Sequence, residues 1–245
     1  KTRVKGDGFD MWKKFVARTK GSREEIAIAV IGKYFDTGDF VLSDAYISVI
    51  EAVKHAAARV GKKAVLTWLN AKDFEKEGGD VAGLKNYDGI VVPGGFGETG
   101  VEGKIKAIEY ARENKIPYFG LCYGMQLAVV EYARHVALLT DANTTEINPA
   151  GPHPVIDIMP EQKRLMAEEK YGATMRLGAY EARLKEGTLA RKAYGGDTIS
   201  ERHRHRYEVN PEYIDRLEKA GMVFSATSPS GVLIEIAELP RKIHP

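Results

Sequence analysis

The sequence predicts an α/β fold with a mostly parallel central sheet and helices on both faces. Short runs rich in Ile, Val and Ala alternate with longer runs whose apolar residues recur at helical spacing. Parallel strands need such crossovers, because the chain must return to the same end of the sheet before the next strand begins. The apolar runs close on glycine or on Pro-Gly, which stop a strand and turn the chain.

The elements follow in order. Residues 1–24 carry many charges and several glycines, and read as a basic linker or appendage with one amphipathic turn over Met11–Val16. "EIAIAVIGKY" from Glu25 is a buried-strand pattern. "SDAYISVIEAVKHAAARVG" is a helix, with Ser43 or Asp44 as its cap and Gly61 as its stop. "KKAVLTWLN" is the next strand. "YDGIVVPGG" is a third strand ending in a turn, "VEGKIKAIEYARENK" a helix, "IPYFGLC" a fourth strand and "YGMQLAVVEYARHV" its helix. From about residue 140 to 200 the pattern loosens. "EQKRLMAEEKYGATMRLGAYEARLKEG" reads as a charged loop and a short strand, with His153 in the loop before it. "NPEYIDRLEKAGM" is a capped helix, and "MVFSATSPSGVLIEIAEL" a hairpin turning at Ser228–Gly231.

Composition narrows the function. The chain of 245 residues is 44% hydrophobic and 29% charged with a net charge of +2, which suits a globular protein without a broad nucleic-acid surface. No run approaches the length of a membrane span, and no apolar signal core opens the sequence, so a cytoplasmic protein with no membrane partner is expected. A single cysteine excludes an internal disulfide and a cysteine-rich zinc site.

That cysteine, Cys122, stands in "GLCYG". The pattern is that of a nucleophile elbow, where a strand turns sharply into a helix and lifts the nucleophile from the turn. Gly120 and Gly124 flank it because strand and helix backbones pack closely there. The helix N-terminus would favour a thiolate, and the N–H of Tyr123 would face a developing oxyanion. A second donor would come from "VVPGGFG", where Gly94 and Gly95 leave backbone N–H groups uncovered. The bland readings are a buried spacer cysteine and an ordinary turn. Strand ends bring both stretches to one rim of the sheet, the usual place for a ligand.

These stretches, with "DANTTE" (141–146), "GATMRLG" (172–178) and "ERHRHRYEVNP" (201–211), resemble the glutamine amidotransferase domain of CTP synthase, a triad-type, class I member with a flavodoxin-like fold. The resemblance runs from about Ile26 to the end, making 25–245 the amidotransferase domain. It implies that Cys122 attacks the side-chain amide of L-glutamine and that Gly95 and Tyr123 form the oxyanion hole. It implies that Tyr123, Gly124, Met125 and Gln126 bind glutamine, Glu146 its α-ammonium and Arg206 its α-carboxylate. No cofactor is implied for glutamine hydrolysis. A synthase domain, which would use ATP and Mg to aminate UTP, is the implied partner, with GTP as activator and a homo-oligomeric full enzyme. The basic start resembles the tail of the linker after that synthase domain.

Alternation in "RHRHRY" predicts a strand with Arg202, Arg204 and Arg206 on one face and His203, His205 and Tyr207 on the other. A His-x-His metal site on His203 and His205 is the rival reading, and no ligand is spaced to complete it. The family's activating His-Pro-Glu is absent. His244–Pro245 corresponds either to an earlier His-Pro pair, so that the catalytic strand would begin past Pro245, or to the catalytic histidine itself. Thr99 and Tyr123 replace the family's usual arginine and leucine, with Tyr123 expected over the pocket and Thr99 at contacts with the synthase domain or a regulator. Two further functions compete: a pseudo-amidotransferase that binds glutamine or a partner without turnover, and a γ-glutamyl hydrolase or cysteine peptidase on the same scaffold.

Overall fold

The computed structural model of the chain describes residues 8–33, 46–159, 162 and 175–245. Helix α1 (Gly8–Gly21) extends the expected turn to four turns of helix, yet buries none of its residues. It touches the rest of the chain through the Phe15 ring, edge-on to His55 at 4.8 Å.

Strand β1 (Glu25–Gly32) pairs in parallel with β2 (Lys63–Asn70) along its whole length. Between them runs α2 (Ile47–Arg59), which ends where Gly61 takes a φ of 75°. The expected cap, Ser43 or Asp44, lies outside the described residues. A one-turn helix, α3 (Ala71–Glu75), leads on to β3 (Gly89–Val92), α4 (Val101–Glu113), β4 (Tyr118–Gly120) and α5 (Tyr123–His135). The sheet order is β2-β1-β3-β4, all parallel. Alternate residues of β1 feed opposite faces, as the pleat requires. Ala29 and Ile31 join the main core with Ile105, Ile108 and Leu127 of α4 and α5. Val30 packs with Tyr46 against Ile28, Val49 and Trp68 on the α2 side. Both faces are thus covered, as expected.

The second half departs from a single sheet. Strands β5 (Ala142–Thr144) and β6 (His153–Ile158) pair in parallel, so His153 opens a strand rather than sitting in a loop. The "short" strand is the nine-residue β7 (Arg176–Leu184), and the charged loop before it falls largely outside the described residues. β7 pairs with β8 (Thr198–His205), and β9 (Tyr207–Val209) pairs instead with β6. The ladder therefore breaks at Arg206, and the predicted alternation ends there. Arg202 and Arg204 are exposed and His203 and His205 turn inward, but Arg206 sits at the switch between two sheets. The hairpin β10 (Val223–Thr227) and β11 (Ile234–Glu238) completes the antiparallel sheet β11-β10-β7-β8.

Candidate active site

Cys122 lies between β4 and α5 with φ 51° and ψ −104°. An L-residue reaches that region only under strain, typically about 1–3 kcal/mol, and the neighbours enforce it. A Cβ on Gly120 would lie 2.5 Å from the carbonyl carbon of Gly124, and one on Gly124 would lie 2.1 Å from the Val92 oxygen. Strand and helix pass too closely for any side chain, so both glycines are obligatory. The Tyr118 hydroxyl donates to the Gly124 carbonyl at 2.7 Å and fixes the first turn of the helix. The elbow lifts Cys122 onto the wall of a cavity of about 1030 Å³, where the residue is exposed.

The thiol is not activated by the helix N-terminus alone. Surrounding protein raises its pKa by desolvation, and the carboxylates of Glu208 and Glu146 add to the rise. The Tyr123 N–H hydrogen-bonds the sulfur and opposes the shift without reversing it. The expected thiolate is therefore not favoured; desolvation, with a smaller contribution from Glu208 and Glu146, outweighs the Tyr123 N–H.

The loop after β3 approaches from the other side. A Cβ on Gly94 would be 3.5 Å from the Cys122 Cβ and 4.0 Å from its sulfur, and both Gly94 and Gly95 line the cavity. Two side chains brace this loop. Glu146 accepts from the Gly97 N–H at 2.7 Å, and the Tyr123 hydroxyl donates to the Gly97 carbonyl at 3.1 Å. Tyr123 is thus not spread over the pocket. It is 1% exposed, beneath the loop, and its phenol pKa is pushed far above the ordinary value, chiefly by burial and then by Glu146. Thr99, farther along the loop, is exposed.

The residues expected to hold glutamine are distributed around this core. Met125 and Gln126 line the cavity, whereas Gly124 is buried against Val92. Gln126 donates to the Tyr207 carbonyl at 2.8 Å and ties α5 to β9. Arg206, next to Tyr207, has a buried Nε with no hydrogen-bond partner among the described residues. Burial raises the Tyr207 phenol pKa, Glu146 raises it further and Arg206 lowers it, so both charges act on that ring.

Sequence reasoning missed the network behind them. His205 meets Glu208 at 2.5 Å, His203 meets Glu235 at 2.6 Å, and Arg176 joins the two carboxylates, at 3.3 Å to Glu208 and 2.6 Å to Glu235. Each histidine is spent on its own carboxylate, and the guanidinium fills the place a cation would take between them. His244 meets the carbonyls of Ala111 and Pro245, both at 3.2 Å, rather than a carboxylate. His153 stacks edge-on with Tyr213. Glu109, Glu131 and His135 have ligand atoms within 4.8 Å of one another, but the Arg112 guanidinium already chelates Glu131.

An elbow cysteine beside a braced glycine loop fits the active site of a glutamine amidotransferase. The profile of the class-I glutamine amidotransferase family matches residues 41–244, and the chain belongs to that family. Within it, the relatives are CTP synthases. The enzyme of Methanococcoides burtonii is 50% identical over 231 residues, covering 94% of this chain and 41% of the relative. That of Archaeoglobus fulgidus is 51% identical over 229 residues, covering 94% and 41%. The solved glutaminase domain of Trypanosoma brucei CTP synthase with bound acivicin is 37% identical, with a TM-score of 0.79, over 88% of this chain and 81% of that one. The chain thus spans 41% of the length of these curated relatives.

Proposed function

We propose that this chain is the glutaminase unit of a CTP synthase and that Cys122 is its nucleophile. The observation that carries the proposal is the elbow. A strained Cys122 stands between two glycines that packing makes obligatory, with the Gly94–Gly95 loop against its sulfur. The sulfur attacks the side-chain amide carbon of L-glutamine and forms the C–S bond. The carbonyl oxygen takes the negative charge, and the N–H groups of Gly95 and Tyr123 receive it. Collapse breaks the C–N bond, and the amide nitrogen takes up the proton given up by the thiol and leaves as ammonia. Water then cleaves the thioester and releases glutamate. Glu146 holds the α-ammonium and Arg206 the α-carboxylate, in a planar, bidentate pairing.

Ammonia would pass to a synthase domain that aminates UTP with ATP and Mg, in a homo-oligomeric enzyme activated by GTP. The edge of β4 away from β3 pairs with no strand among the described residues, and the cavity runs beside it past Tyr118–Leu121. The raised thiol pKa favours a second reading, a glutamine-binding module without turnover, as long as no base is supplied.

Intact mass after exposure to an electrophilic glutamine analogue separates the readings. A single adduct at Cys122, blocked by L-glutamine and absent in Cys122→Ala, supports the glutaminase site. Glutamine binding without an adduct supports the binding module. Labelling that glutamine does not block points to another hydrolase.

A further inference from the structure

We propose that Lys104 is a positioning residue for this reaction, holding a positive charge behind the oxyanion loop to stabilise the anionic tetrahedral intermediate at Cys122. The proposal rests on the glutaminase reading above. Lys104 lies in the first turn of α4 and is 1% exposed. Its Nζ stands 5.2 Å from the centre of the Tyr123 ring, and a Cβ on Gly95 would be 3.8 Å from that nitrogen. The ammonium therefore lies close behind both residues whose N–H groups would receive the oxyanion.

Nothing about this placement serves stability. Cations are unfavourable at a helix N-terminus, and buried lysines are rare unless paired. Among the described residues Lys104 forms no salt bridge. The charged groups that act on it are Lys33, after β1, which opposes its charge, and Glu75 on α3, which favours it. Burial first, and Lys33 second, bring its pKa down to about 8, which leaves it protonated at neutral pH. In so dry a setting a full charge acts across several ångströms. The loop it faces is held at Gly97 by Glu146 and Tyr123, so the charge meets a fixed target.

The test uses a chloromethyl ketone analogue of glutamine on the parent chain, Lys104→Met and Lys104→Arg. The Cys122 sulfur bonds to the chloromethyl carbon, chloride leaves with the C–Cl electron pair, and the thiol proton passes to solvent. The ketone oxygen lies in the oxyanion hole as this happens. Lys104→Met is expected to lower the maximal inactivation rate about tenfold while KI and the rate with iodoacetamide stay within about twofold. Lys104→Arg, which keeps the charge, is expected to retain most of the parent rate. An unchanged maximal rate in Lys104→Met overturns the proposal, and so does a parallel fall with both reagents, which a folding or thiol effect would produce. Parent labelling that L-glutamine does not block overturns the glutamine reading, and this proposal with it.

Discussion

Replacing Lys104 with methionine should stabilise the chain, and the gain should depend on pH. The ammonium ionises near 10.5 in water and near 8 in the folded protein. Folding thus weakens proton binding roughly 300-fold, which at about 1.4 kcal/mol per tenfold is about 3 kcal/mol. The sign follows from linkage. Between these two pKa values the unfolded chain binds more protons than the folded one, so stability rises with pH. The cost is fully present below pH 8 and vanishes as pH climbs through the unfolded value. Methionine removes the charge, keeps the volume and adds a packing contribution that does not titrate. Relative to the parent, the gain should be about 3 kcal/mol at pH 7 and shrink to about 1.5 kcal/mol at pH 9.5. For a chain of this size the first figure raises the thermal midpoint by roughly 6–10 °C. Urea unfolding of parent and variant at both pH values measures the difference, and the packing contribution cancels between them. A difference that stays flat from pH 7 to pH 9.5 would refute the reasoning, because the ammonium would then not be the source of the cost.

Other perturbations probe the elbow and its surroundings. Gly124→Ala puts a methyl group 2.1 Å from the Val92 oxygen, a backbone atom that cannot swing away; denaturant melts should show a loss of about 3 kcal/mol, and glutamine-protected labelling of Cys122 should vanish. Glu208→Gln removes one of the carboxylates that raise the Cys122 pKa, so the midpoint of the iodoacetamide rate against pH should move to lower pH. Arg206→Ala should raise KI for a glutamine analogue about 10- to 100-fold while leaving the iodoacetamide rate unchanged.

The parallel half of the fold was legible because its signals are local. Apolar runs, a Pro-Gly turn and helices with clear stops each sit within a few residues, and the elbow announces itself through Gly120 and Gly124. The second half was less so. His153–Ile158 opens with His-Pro and spans only six residues, too short for its period to stand out. The break at Arg206 could not be read from "RHRHRY", because β9 leaves the ladder to pair with β6, a partner far away in sequence. The carboxylate that meets His203 likewise comes from far away, from β11, whereas that of His205 is only three residues on. Nothing in the sequence marks Lys104 as buried. It is buried because α4 is enclosed on more than one side, with Gly103, Lys104 and Ile105 in succession all covered. The thiolate expectation failed for a related reason: the helix N-terminus is visible in the sequence, but the desolvation of the sulfur, and after it the carboxylates of Glu208 and Glu146, are supplied only by the fold.

Three costs thus stand out among the described residues: a strained backbone at Cys122, an ammonium without a salt bridge at Lys104 and a buried Arg206 Nε without a hydrogen-bond partner. They differ in what relieves them. The strain at Cys122 is built into the elbow and is present with or without a ligand. The Arg206 guanidinium gains its partner when an α-carboxylate arrives. Lys104 gains its partner only when the oxyanion forms, which neither free glutamine nor glutamate can supply. L-glutamate at about 100 times its dissociation constant should therefore raise the unfolding free energy of the parent by about 2.7 kcal/mol. At the same concentration Lys104→Met should gain as much as the parent, and Arg206→Ala should gain far less. If Lys104→Met loses this ligand-induced stabilisation as well, the lysine acts on ground-state binding, and the division of labour between a substrate-holding arginine and an intermediate-holding lysine is wrong.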